Sequence, residues 1–244
     1  MSSLVAPLTT AEFHARVFAL APKVAVFDCD GTLWSGDAGS AFMWWTMDTG
    51  LLPPDASAWL RGRYEEYQRG VVSELVICGE MVQVYRSLQI DALRAAAAEF
   101  FAQFVEPNIF PEMLDLVAAL QAAGTDIWAV SSTCDWVIEE GMKRFHIPAG
   151  RVLAARVEVI AGVATNRLLD VPTDEGKVAS LRHAGITAPN AVFGNSVHDA
   201  AMLAIARGHG TISGAFAVNP SADLLRRAAA EGWPVYFPAS VAPK

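Results

Sequence analysis

The sequence predicts an α/β protein: a doubly wound, mostly parallel sheet with helices on both faces and a helical block inserted after the first strand. Three observations carry this. From residue 126 onward, short apolar runs alternate with helical stretches, the pattern of a parallel sheet covered by helices. The first apolar run, Val24–Asp28, and the next convincing one, Asp126–Val130, are too far apart for a single crossover, which takes roughly 30 residues. The residues between them carry apolar side chains at helical spacing.

Taken in order, Thr9-Thr10-Ala11-Glu12 is a capping box that opens a short helix. Within the inserted block, Ala58–Gln68, Ser73–Leu88 and Asp91–Phe104 read as helices, punctuated by Pro53-Pro54 and Gly70. A helix over Pro111–Ala123 and a turn at Gly124 feed the strand Asp126–Val130. A helix over Asp135–Phe145 follows, then a hairpin of Arg156–Ile160 with Val163–Leu169 around Ala161-Gly162. The remainder reads as helix Asp174–Ala184, strand Ala191–Phe193, helix Val197–Ala206, strand Thr211–Val218, helix Ala222–Ala230 and strand Pro234–Tyr236. The expected organisation is a discontinuous core of residues 1–33 and 108–244 and a helical cap of residues 34–107.

Composition narrows the function. A chain of 244 residues, 53% hydrophobic, suits one core domain with an insertion. A net charge of −8 disfavours nucleic acid, which needs clustered Lys and Arg, and gives no polybasic signal for a membrane surface. No apolar stretch is long enough to span a bilayer. The first twenty residues, with Glu12, His14 and Arg16 among them, lack the pattern of a signal peptide. Cys29, Cys78 and Cys134 form no CxxC pair, which suits reduced thiols. These points describe a cytoplasmic protein, monomer or homodimer, acting on a small molecule.

Four features fall at the carboxyl ends of expected strands, where ligands bind in such sheets. Asp28 and Asp30 follow the first strand, and Ser131 and Ser132 follow the second. Asn195 and Asp199 follow Ala191–Phe193, and Lys177 lies at the start of a helix. Carboxylates, hydroxyls, an ammonium and a Gly-rich turn suit a phosphoryl group with a hard divalent cation. An Asp carboxylate can attack phosphorus. Asp28 and Asp30 alternate along an extended chain, so both can face one site while Cys29 faces away. Taken alone, the two acids could be a solvated strand end, Ser131 a helix cap, and Asn195 a turn residue. His198 reads as a turn or pocket-rim residue, and Cys29 and Cys134 as packed thiols.

The motifs together resemble the haloacid-dehalogenase-superfamily phosphatases, in the phosphoserine-phosphatase-like branch with a helical cap on a Rossmann-like core. They stand here, in order, as VAVFDCDGTLW, WAVSSTCD, the lysine of DEGKVASL, and GNSVHD. The resemblance implies a Mg²⁺-dependent phosphomonoester hydrolase working through an aspartyl-phosphate. It implies Asp28 as nucleophile, Asp30 as acid/base, and Ser131 and Lys177 as phosphate holders. Gly31, Thr32 and Ser132 would contact substrate, and Asp28, Asp30, Asn195 and Asp199 would form the metal site, Asp30 through its carbonyl.

Two departures stand out. Asn195 replaces the usual Asp, which leaves a ligand with less charge. In the cap, Asp37 can stand for the acid that holds an amino-acid substrate, but the family's Arg position falls near Cys78, with Arg86 as a substitute. Phosphoserine is then one substrate among several. Trp34, Trp44, Trp45 and Trp59 read as core packing, or as an aromatic cage for the quaternary ammonium of phosphocholine, backed by Asp37 or Glu80. Phosphoethanolamine, a phosphotransferase reaction to an acceptor alcohol, and a non-catalytic phospho-ligand binding module are the other readings.

Overall fold

Ala25, Val26 and Phe27 are fully buried because β1 (Val24–Phe27) is the central strand of the sheet. The structure is a computed structural model that describes residues 6–241. Residues 1–5 and 242–244, the outer ends of the expected core segments, lie outside the described residues. Helix α1 (Thr10–Ala19) precedes β1, and its Thr9–Glu12 capping box is present. Helices α2 (Ala38–Asp48), α3 (Pro54–Gln68), α4 (Glu74–Gln83), α5 (Ile90–Phe100) and α6 (Pro111–Ala122) lead to β2 (Asp126–Cys134). Then come α7 (Asp135–Met142), β3 (Val152–Ile160), β4 (Val163–Asp170), α8 (Glu175–His183) and β5 (Ala191–Gly194). The chain closes with α9 (Ala200–Ala204), β6 (Ala215–Val218), α10 (Ala222–Glu231) and β7 (Val235–Tyr236).

Among the described residues the strand order is β4-β3-β2-β1-β5-β6-β7, parallel throughout except for β4, which folds back against β3. The expected α/β class and mostly parallel sheet are therefore what the chain forms. The chain winds outward from β1 through β2 and β3, then returns to β5 on the other side of β1. The connections diverge there, so a crevice opens above the carboxyl ends of β1, β2 and β5.

Several elements differ from expectation, each for a local reason. Helix α2 was not singled out, because its AGSAFMWWTMD stretch is apolar on most faces and shows no single stripe. The helix expected over Ser73–Leu88 ends at Gln83, and the turn that follows places Ser87 at φ 72° with its N–H on the Ala164 carbonyl. The helix expected to reach Phe104 becomes a wider five-residue turn at Phe101–Val105. That turn seats Phe101 edge-on against Trp34 and against Gly141, where a Cβ would meet its ring at 2.7 Å. Strand β2 continues to Cys134, with its pairing to β3 shifted between Ser131 and Cys134. Residues 131–133 are thus extended chain over the crevice, and Cys134, not Ser131, caps α7.

Phe27 stacks on Phe193 at 4.2 Å, and Phe193 on Phe216 at 5.2 Å, which ties three central strands into one apolar layer. Phe42, Leu60 and Phe100 of the inserted helices, with Tyr85 in the turn after α4, belong to the same apolar cluster. Burying it fastens those helices over the crevice. No helix among the described residues is long and apolar enough to cross a membrane.

Candidate active site

Strand β1 ends in the crevice, and its last backbone bond sets the first functional residue: the Asp28 N–H donates to the Phe193 carbonyl at 2.9 Å. The Asp28 carboxylate is buried, and both of its oxygens are held. Lys177 Nζ donates to Oδ1 at 2.7 Å, and the Thr32 hydroxyl to Oδ2 at 2.8 Å. Lys177 also donates to Asp199 Oδ1 at 2.6 Å and to the Val130 carbonyl at 3.3 Å. Asp199 Oδ2 accepts the N–H groups of Asn195 and Ser196, both at 2.9 Å. That carboxylate therefore organises the turn after β5. The same contacts replace the helix expected over Val197–Ala206 with a tight turn at Val197–Asp199 followed by the short α9.

Asp30 is held separately. The Trp34 indole and the Ala38 N–H both donate to Oδ1 at 2.7 Å, and the Thr133 hydroxyl donates to Oδ2 at 2.7 Å. Burial, then the neighbouring Asp37 charge, pushes the Asp30 pKa up to about 6. Burial, then Asp199, pushes Asp28 up to about 7, with Lys177 pulling the other way. Burial opposes the Lys177 charge, but Asp199 and Asp28 raise its pKa above the ordinary lysine value, so it stays an ammonium. Asp28 and Asp199 share that one cation.

A cavity of about 240 Å³ lies against Asp28 and Asp30. Ser131, Ser132, Asn195 and Lys177 line it on the sheet side. Ser131 is buried, and its Oγ accepts the Thr133 N–H at 3.1 Å. Of the sequence-predicted residues, Asp28, Asp30, Asp37, Ser131, Ser132, Lys177 and Asn195 meet in this one place. Thr32 and Asp199 stand behind it, turned to Asp28 and Lys177. Gly31 supplies conformation: its φ is +73°, and an added Cβ would lie 1.8 Å from Asn195 Nδ2. Gly31→Ala should therefore displace Asn195 and raise the Mg²⁺ concentration for half-maximal activity about tenfold, measured by metal titration. An unchanged requirement would leave Asn195 without a role in holding a metal.

The donor chemistry fits Mg²⁺. Asp28 and Asp199, both buried, and the partly buried Asp30 bring three carboxylates against the single ammonium of Lys177, an excess of two negative charges when all are ionised. The Asp28 carboxylate, the Asp30 carbonyl and the Asn195 carboxamide are hard oxygen donors of the kind Mg²⁺ takes with waters. Asp199 holds Lys177 through one oxygen and the N–H groups of Asn195 and Ser196 through the other.

Sequence reasoning missed Thr133, Tyr64, Tyr67, Tyr85 and Glu74, which line the cavity, and the Trp34 bond to Asp30. Only Thr133 had a signal, its place in WAVSSTCD beside Ser131. The tryptophan cage does not form. Trp34 is buried beneath Asp30, Trp44 lies under Arg61 at 4.7 Å, Trp45 packs on Phe42 and Phe100, and Trp59 is exposed. Glu80 is paired with Arg63 at 2.9 Å. Arg86 is exposed and does not line the cavity. Cys29 and Cys134 are buried free thiols whose pKa values burial raises.

Known proteins resemble this chain along most of its length. A histidinol-phosphatase from Neisseria meningitidis serogroup C (strain 8013) is 26% identical over 87% of this chain and 97% of its own. A protein of unknown function from Bordetella pertussis Tohama I superposes with a TM-score of 0.72 at 25% identity, covering 87% of this chain and 97% of its own. A probable phosphoserine phosphatase from Vibrio cholerae shares the fold, with a TM-score of 0.59 at 14% identity over 84% of this chain and 58% of its own. The model of the haloacid dehalogenase-like hydrolases matches residues 25–204, so the chain belongs to that family.

Proposed function

We propose that this hydrolase is a Mg²⁺-dependent phosphatase whose substrate is a small phosphomonoester with an amine-bearing, carboxylate-free leaving alcohol. Membership of the hydrolase family and the phosphatase among its relatives support the phosphoric monoester hydrolase class. The observation that carries the substrate reading is the charge of the cavity wall. Beyond the reacting groups it presents Asp37, Glu74 and His198, with no arginine and no lysine other than Lys177 among the described residues. A substrate carboxylate would find no cation there, whereas an ammonium would meet two acids and the faces of Tyr64 and Tyr67. The histidinol-phosphatase relative supports a leaving group of this kind.

In this reading the Asp28 carboxylate attacks phosphorus and forms an aspartyl-phosphate. Asp30, its proton retained to higher pH by burial, protonates the leaving alcohol and then takes a proton from the water that cleaves the intermediate. Thr133, Trp34 and the Ala38 N–H hold its carboxyl in place. Lys177 and Ser131 hold phosphate oxygens. Mg²⁺, held by Asp28, the Asp30 carbonyl and Asn195, would offset repulsion between the dianionic phosphate and the carboxylate. The helices of residues 34–107 serve as the cap that excludes bulk water. A non-catalytic binding role would not require a nucleophile, an acid and a lysine gathered in this geometry.

Steady-state rates at fixed Mg²⁺ test the substrate class. L-histidinol phosphate, O-phosphoethanolamine, phosphocholine and O-phosphoserine should be compared. An amine-bearing ester without a carboxylate should exceed phosphoserine about tenfold or more in kcat/KM. Phosphoserine as the best of the four would reject the reading.

A further inference from the structure

Glu74 is the cavity residue that the chemistry at Asp28 leaves unused. It is the first residue of α4 and lines the cavity on the side of the inserted helices. Its Oε1 accepts the Cys78 thiol at 3.5 Å. Its Oε2 is enclosed and has no hydrogen-bond partner among the described residues. His198 Nε2 stands 3.8 Å from that oxygen, beyond hydrogen-bond reach, while the other ring nitrogen is engaged by Asp174 Oδ1 at 2.8 Å. Buried carboxylate oxygens are otherwise paired, because leaving one without a donor is costly.

Asp37, the other acid on this wall, is differently placed. Its Oδ1 accepts the Ser40 N–H at 3.0 Å and its Oδ2 the Ser40 hydroxyl at 2.7 Å, so it is occupied in capping α2. The open acceptor on the wall is therefore Glu74 Oε2. Tyr64 and Tyr67, which line the same cavity, add aromatic surface suited to a cation.

We propose that Glu74, and not Asp37, receives the ammonium of the substrate and sets the preference for amine-bearing phosphate esters. The inference rests on the amine-bearing leaving group proposed above. A carboxylate opposite an ammonium discriminates against a substrate that lacks the amine, because the enclosed Glu74 Oε2 is then left unpaired.

The test compares an amine substrate with its deamino partner. L-histidinol phosphate is paired with 3-(imidazol-4-yl)propyl phosphate, or O-phosphoethanolamine with ethyl phosphate, whichever amine the wild type hydrolyses faster. The ratio of kcat/KM within the pair is read for the wild type, Glu74→Gln and Asp37→Asn at fixed Mg²⁺. The expected wild-type ratio is about 10 to 100 in favour of the amine. It should fall to within about threefold of unity in Glu74→Gln and persist in Asp37→Asn. Glu74→Ala, read the same way, gives the result independently of the Gln side chain. A ratio that survives both Glu74 variants overturns the assignment, and one that collapses only in Asp37→Asn moves the ammonium to Asp37 while sparing the amine reading. A wild type with no preference within either pair removes the amine reading itself, and Glu74 with it.

Discussion

Asp28→Asn is expected to abolish turnover and, at the same time, to make the metal-free protein more stable at pH 8. The two effects have one origin. Asp28 is a carboxylate placed where burial and Asp199 penalise its charge, and its pKa is pushed up to about 7. The sign follows from linkage. A carboxyl whose pKa is raised on folding favours the fold when protonated. That stability is present below the unfolded value of 3.8 and is lost as pH rises through about 7. Asparagine has the same shape without the charge, and Lys177 keeps Asp199 as its partner. In EDTA at pH 8 the variant should melt several degrees above the wild type, and the difference should vanish near pH 4. A carboxamide cannot serve as the nucleophile, so kcat should drop by about 10⁴-fold or more. Activity above about one per cent of wild type would take the nucleophile role away from Asp28.

Lys177→Met should damage both the fold and the chemistry. The ammonium is 2.7 Å from Asp28 and 2.6 Å from Asp199, and all three side chains are buried. Removing it leaves two carboxylates without their shared cation, a loss of about 3–5 kcal/mol. The loss should shrink in acid, where one carboxylate can take up a proton. Adding Asp199→Asn removes one of the stranded charges and should restore part of the stability, read as the denaturation midpoint. It should not restore turnover, because the ammonium that would hold a phosphate oxygen is still missing, and kcat should stay about 10³-fold down. Lys177→Arg is not expected to rescue, since the planar guanidinium does not fit an ammonium site enclosed by Asp28, Asp199 and the Val130 carbonyl. A double variant that regains activity would show that Lys177 serves only the fold.

The polar groups of the crevice were legible because each is announced by local chain chemistry. Asp28 and Asp30 follow an apolar run and precede a glycine, and Ser131, Lys177 and Asn195 sit where strands give way to turns and helices. The wall opposite was not legible, because the residues facing Asp28 from the inserted block come from the packing of separate helices. Tyr64 on α3, Glu74 on α4 and Tyr85 beyond it share no spacing that marks a common surface. Of the two readings of the tryptophans, core packing holds for Trp34 and Trp45 and the cage fails. Their number suggested a cage, but burial of Trp34 and the pairing of Trp44 with Arg61 turn them away from the cavity.

By itself, the sequence determined the α/β class, the insertion after the first strand and most of the polar residues that gather at the crevice, since all three follow from local periodicity and short motifs. Only the tertiary structure decided that Asp199 holds Lys177 and the turn after β5, that Thr133 holds Asp30, and that an acidic, tyrosine-lined wall, without arginine among the described residues, faces Asp28. Those relations join residues distant in the chain, and they exist only once burial of the shared apolar cluster has brought the inserted helices down over the sheet.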